Sequence, residues 1–235
     1  MFKFEKLVFG DAGWGDEFLI ATLMTLLVSI MSMGLGLCLA IITVWAKLIK
    51  NRIAGLIANF YTTVIRGVPE LLVIYLIFFG GNAVVMKIAK IFGYNGYIEL
   101  NALTIATIAI AIISATYSSE VLRAAYLSIS KGQLEAARAL GMSKFSIFFK
   151  VITPQVIRYA LPGIGNVWQI TLKDTSLISV TGLVEIMRQT RISSNVEHSP
   201  LTFLITAAIL YLCLTTFSGR FFKYLEINYS KGYST

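Results

Sequence analysis

Charge is scarce in this sequence. Asp, Glu, Lys and Arg make up 14% of its 235 residues, 57% are hydrophobic, and mean hydropathy is +0.76. Soluble domains carry about 25% charged residues, so a water-soluble globular fold is excluded. Cysteine is nearly absent: Cys38 and Cys213 both fall inside apolar runs, which leaves no disulfide framework and no CxxC metal site. His198 is the only histidine and reads as a solvated residue of an outer loop. There is no GxxxxGK[ST] phosphate loop, no HExxH and no GxSxG, so neither nucleotide hydrolysis nor a recognisable hydrolase centre belongs to this chain. A basic region ahead of the first apolar run is also missing. Asp11, Asp16 and Glu17 stand there instead, and no cleaved signal peptide is expected. A net charge of +8 would suggest nucleic acid in a soluble protein. Here its distribution matters more, and no nucleic-acid partner is expected.

Long apolar runs are what the chain has. A bilayer core of about 30 Å needs about 20 mostly apolar residues per helix. Five such spans are predicted, over about residues 18–45, 54–79, 102–127, 156–180 and 201–222. Gln169, Lys173 and Asp174 interrupt the fourth. The fold class is all-α, a polytopic membrane protein with one transmembrane domain over residues 1–235.

Orientation follows from Lys and Arg in the short connections. The first connection, the third and the C-terminal tail carry twelve, among them Lys47, Arg123, Arg138 and Lys231; the N-terminal segment and the other connections carry six. The richer side faces the cytoplasm, which puts the N-terminus outside and the C-terminus inside.

That orientation leaves the stretch KGQLEAARALGMSKFSIFFKVITP, residues 131–154, in the cytosol. Gln133 to Leu140 are strong helix formers and Gly141 is placed as a terminator. Ser143 can cap a second short helix carrying Phe145, Phe148, Phe149 and Ile152 at helical spacing, with Pro154 as its stop. From the residues alone this helix pair suits the membrane surface or a groove on a partner.

The spacing carries a resemblance. Glu135-Ala136-Ala137, three residues, Gly141, nine residues, then Val151-Ile152-Thr153-Pro154 resembles the EAA loop of bacterial ATP-binding-cassette importer permeases. Val151 and Thr153 depart from that family's Ile and Leu. Ile65-Arg66-Gly67-Val68-Pro69-Glu70-Leu71-Leu72, the stretch from Tyr117 to Arg123, and Leu172-Lys173-Asp174-Thr175-Ser176-Leu177 resemble segments of its polar amino-acid permeases. Arg-Gly-Val-Pro-Glu-Leu-Leu with the following Phe78-Phe79-Gly80-Gly81 looks closest to the histidine and opine branch.

The resemblance implies a type I importer permease in the inner membrane of a bacterium. It implies two ATPase subunits that bind ATP and Mg, a second permease subunit, an extracytoplasmic solute-binding protein, and an amino acid or opine as substrate. This chain would hold no cofactor itself, and membrane lipid would surround it. ATPase coupling would fall to Glu135, Ala136, Ala137, Leu140, Gly141, Phe145 and Pro154. An ion-gradient-driven transporter or channel, and a membrane-embedded enzyme, are the rival classes.

Ionisable groups at membrane depth usually face a watery cavity or the protein interior. Arg66 and Glu70 sit near the middle of the second span, with Gly67 and Pro69 between them, so a broken helix is expected. Interrupted helices at that depth point to a transporter's solute site. Arg66 would grip a carboxylate and Glu70 an amino or guanidino group; the alternative is an Arg66–Glu70 pair that only neutralises itself. Tyr117, Trp168 and Gln169 join this pathway set, with packing as the competing role for Trp168. Glu120, Arg123, Lys173 and Asp174 are read as gate or interface residues, with an intrahelical Glu120–Arg123 pair as the alternative. Ser114, Thr116, Gly34 and Gly36 read as helix-packing positions.

Overall fold

The computed structural model describes residues 4–10, 13–94, 96 and 101–230; Lys3, Asp11 and Lys231, used in the charge reading, lie outside the described residues. Among the described residues nine α-helices follow one another: α1 (Gly15–Leu48), α2 (Arg52–Gly67), α3 (Glu70–Ile91), α4 (Ala102–Leu127), α5 (Lys131–Ala139), α6 (Lys144–Ile147), α7 (Thr153–Asp174), α8 (Ile186–Glu197) and α9 (Pro200–Ser230). A turn of π-helix (Phe148–Ile152) joins α6 to α7, and a 3-10 stretch (Thr175–Thr181) continues α7. No strand occurs among the described residues. By length and apolarity, α1, α3, α4 and α9 are each able to cross a bilayer. In α7 the polar Gln169, Lys173 and Asp174 lower the apolar content.

The pairing of α1 with α4 is the axis of the fold. Small and hydroxyl residues of α1, including Ala21, Thr25, Ser29, Ser32, Gly36 and Ala40, recur every three or four positions and are all buried. Such residues let backbones approach where lipid supplies no hydrophobic drive between helices. A Cβ built on Gly36 would stand 2.2 Å from Ser114 Oγ, whereas Gly34 meets nothing within 4 Å. Of the two glycines, Gly36 is the one the contact requires. Ser32 Oγ donates to the carbonyl of Thr107 at 3.2 Å across the same seam. Ser114 and Thr116 are buried, and their hydroxyls donate to the backbone one turn back.

About 67% of the most apolar window of α4 is buried, against 11% for α3 and 17% for α9. Thus α4 is the central helix, and α3 and α9 present apolar faces outward.

The second predicted span is two helices. It ends as α2 at Gly67 and resumes as α3 at Glu70, because Pro69 has no N–H to continue the ladder and disfavours helical geometry at Val68. Beyond the break α3 runs to Ile91, so Lys87 and Lys90, assigned to a connection, belong to its last turns.

Pro154 was expected to end the second short helix. Instead it lies in the first turn of α7, where a missing N–H costs little, and the π turn before it absorbs the change of register. Residues 144–181 therefore form one continuous helical rod.

Candidate functional site

The break at Val68–Pro69 aims two charged side chains at α4 from different helices. Arg66 is in the last turn of α2 and Glu70 in the first turn of α3. The i,i+4 geometry of an unbroken helix is gone, and no ion pair joins Arg66 and Glu70 among the described residues. Tyr117 of α4 stands between them. Its hydroxyl donates to Glu70 Oε1 at 3.0 Å, and the Arg66 guanidinium carbon lies 5.5 Å from the ring centroid. A cation over an aromatic face is attracted to the ring quadrupole, so Arg66 is held on the ring and away from the carboxylate.

Asp174 completes the cluster from the end of α7. It is 7% exposed and within hydrogen-bonding reach of Glu70. Its neighbour Lys173 faces outward and is exposed, as adjacent positions on a helix require. Two carboxylates, a phenol and a guanidinium from α2, α3, α4 and α7 thus converge. Sequence reasoning placed Glu70 in the pathway and Asp174 at a gate, and the two meet. A crevice beside the break, lined by Leu39, Tyr61, Ile65, Val68, Val73 and Ile77, is almost wholly apolar and contains no charged side chain.

Trp168 and Gln169 face α9. The indole packs on Phe222 with centroids 6.2 Å apart, and the Gln169 amide donates to the Thr215 carbonyl at 3.1 Å and to Ser218 Oγ at 3.3 Å. Glu120, one turn below Tyr117, has Lys47 of α1 as its nearest partner, while Arg123 stands 3.6 Å away. The sequence reading weighed Arg123 and missed Lys47, which it had counted only as a cytoplasmic charge. A lysine at the end of a long apolar helix carried no other signal.

The segment 131–154 has the expected turn. α5 ends at Ala139, Gly141 adopts φ +74°, and Ser143 Oγ accepts from the Ser146 N–H at 3.2 Å. Glu135, Ala136, Leu140, Phe145, Phe148 and Phe149 are exposed, with Leu140 81% and Phe145 73% open. Ala137 and Ile147 are buried, and α5 packs against α6 and the π turn, so the pair holds together as a unit. The phenylalanine rings touch one another without being covered, Phe145 tilted against Phe149 with centroids 4.4 Å apart and Phe148 edge-to-face with Phe149 at 5.1 Å. Phe145, Phe149 and Phe148 thus form one exposed aromatic cluster.

The carboxylate of Glu185 caps α8, accepting from the N–H groups of Met187 and Arg188 at 2.8 Å each and from the Tyr211 hydroxyl at 3.1 Å. It lies in the connection before α8 and is fully buried, and burial pushes its carboxyl up to about 7.

Known proteins match this architecture. Residues 32–230 fit the family described as "Binding-protein-dependent transport system inner membrane component". The nopaline transport system permease protein NocQ of Agrobacterium fabrum is 46% identical over 94% of each chain. The octopine permease protein OccQ of Rhizobium radiobacter is 42% identical over 95% of this chain and 94% of its own. The histidine/lysine/arginine/ornithine permease protein HisQ of Escherichia coli is 36% identical over 94% of this chain and 96% of its own. A crystal structure of an amino acid transporter of the ATP-binding-cassette class, bound to histidines, superposes with a TM-score of 0.77 at 29% identity, over 92% of this chain and 95% of that one. Apolar helices, interrupted second span and sequence all agree: the chain belongs to the family of binding-protein-dependent transport system inner membrane components, multi-pass proteins of the inner membrane.

Proposed function

We propose that this chain is the translocation subunit of an ATP-driven importer for basic amino acids or opines. The observation that carries the reading is the meeting of Glu70 and Asp174 under Tyr117, with Arg66 held apart on the ring. Two carboxyl groups within hydrogen-bonding reach share a proton while the site is empty, and an arriving cation takes that proton's place, because attraction at close range grows as the local dielectric falls. An unpaired guanidinium nearby suits the α-carboxylate that every such solute carries. The names of NocQ, OccQ and HisQ, which carry opines or basic amino acids, point the same way.

In this reading residues 1–235 are one transmembrane domain in which α7 is the fifth span, the N-terminus is outside and the C-terminus inside. Residues 131–154 dock on a separate ATPase that binds ATP and Mg and does the hydrolysis. Glu135, Ala136, Ala137, Leu140, Gly141, Phe145 and Pro154 form the docking segment. Two ATPase subunits, a second permease and an extracytoplasmic binding protein complete the assembly. The exposed Leu140 and Phe145 support the docking role, since apolar anchors surrounded by the basic Arg138 and Lys144 suit a partner's cleft.

The test is uptake by the assembled complex in proteoliposomes, with L-arginine and L-glutamine as probes. Arginine is carried in preference, and Glu70→Gln raises KM for arginine about tenfold while changing glutamine little. Equal losses for both solutes would refute the electrostatic role of Glu70.

A further inference from the structure

Below the acidic cluster the charge balance reverses. Lys47 is the last charged residue of α1, and its side chain is only 3% exposed. Its ammonium donates to Thr62 Oγ1 of α2 at 2.7 Å and to Glu120 Oε1 of α4. One buried cation thus joins three helices at the cytoplasmic end. Glu120 follows Tyr117 by one turn of α4, on the side of the Glu70–Asp174 cluster that the reading above takes as cytoplasmic. Arg123 stands 3.6 Å from its other oxygen, and Arg66 is within electrostatic reach as well. One carboxylate faces three cations.

The geometry points to Lys47 as a positioning residue that neutralises Glu120 and thereby removes the last cation trap from the exit path. With Lys47 in place, the attraction for a positively charged solute ends at Glu70 and Asp174, and the path beyond is net positive. Without it, the partners left to Glu120 are Arg123, whose side chain is 44% exposed and screened by water, and Arg66, held on the Tyr117 ring. The charge of Glu120 is then only partly offset, and it becomes a second acidic stop, from which a cationic solute departs slowly. A buried ammonium is expensive to hold, and its burial here is offset by a carboxylate and a hydroxyl at bonding distance. Lys47 touches no solute; it acts through Glu120. This rests on the cationic-substrate reading above.

The experiment compares wild type, Lys47→Met, Lys47→Arg and the double variant Lys47→Met/Glu120→Gln in the full reconstituted complex, with L-arginine and L-glutamine as probes. In Lys47→Met, kcat for arginine falls about tenfold and KM falls with it, the signature of a solute held too long, while glutamine turnover stays within about twofold. Removing the trap in the double variant restores arginine kcat to within about threefold of wild type, and Lys47→Arg retains it. A double variant as slow as Lys47→Met, or an equal loss for glutamine, would overturn the inference by assigning Lys47 a purely structural part. Wild-type liposomes that carry glutamine and not arginine would instead end the cationic-substrate reading. Lys47→Met must then leave glutamine turnover within about twofold, and a tenfold loss there would overturn this inference too.

Discussion

The hydroxyl of Tyr117 donates to Oε1 of Glu70 at 3.0 Å while the face of the same ring carries the guanidinium of Arg66. One side chain therefore keeps apart two opposite charges only four positions apart in sequence, which under the proposed reading serve the two charged ends of a cationic amino acid. The hydrogen bond to a carboxylate orients Glu70; the ring positions Arg66. Tyr117→Phe keeps the second and deletes the first. A hydrogen bond is worth about 1 kcal/mol net, so KM for arginine rises about fivefold with kcat nearly unchanged. Transport kinetics with an unaltered KM would show that the phenol does not orient the carboxylate.

Gly141 is the strictest position in the proposed docking segment. At φ +74° an L side chain costs about 1–2 kcal/mol, and α5 is only nine residues long. Gly141→Asp adds a charge as well as the strain. The variant inserts into the membrane but fails to co-purify with the ATPase, and uptake falls to background. Normal co-purification with normal uptake would remove the segment from coupling.

The seam between α1 and α4 has no room for a methyl group at Gly36, where a Cβ would meet Ser114 Oγ at 2.2 Å and the Ala111 carbonyl at 3.1 Å. Gly36→Ala destabilises the detergent-solubilised protein by about 1–3 kcal/mol, read as a lower Tm, and Ser114→Ala in the same background recovers part of the loss. A Tm unchanged by Gly36→Ala would contradict the close approach.

Glu185 makes stability depend on pH. Burial raises its carboxyl from 4.5 to about 7, so the folded state binds this proton more tightly than the unfolded chain. Its contribution is fully present below about 4.5 and is lost as pH rises through 7. A shift of that size amounts to about 3 kcal/mol at most. Melting curves from pH 5 to pH 8 show wild type losing thermal stability relative to Glu185→Gln. The variant melts lower at pH 5, since an amide cannot accept from Met187, Arg188 and Tyr211 together. Parallel pH profiles for the two proteins would refute the assignment.

Punctuation residues made much of this fold legible. Pro69 after Gly67 announced the broken helix, Gly141 the turn, and Ser143 the cap, because each acts on the backbone within a few residues. Pro154 misled for the same reason: proline ends helices but is equally at home in their first turn, and only the three-dimensional course of the rod distinguishes the two. Glu70 with Asp174, and Lys47 with Glu120, are tertiary meetings between residues far apart in sequence. A single sequence offers Arg66 and Arg123 as the nearby partners at helical spacing. The break in the second span and the approach of α1 to α4 at Gly36 decide otherwise.

Energy supply is the most direct test of the central claim, that this chain is a passage worked by a separate ATPase through residues 131–154. Solute accumulation is measured in proteoliposomes holding the whole complex, with ATP or a non-hydrolysable analogue on the cytoplasmic face and with ionophores to collapse ion gradients. Accumulation that requires hydrolysable ATP and is indifferent to the ionophores is the predicted result. Uptake that proceeds without nucleotide and disappears with a proton or sodium gradient would contradict it.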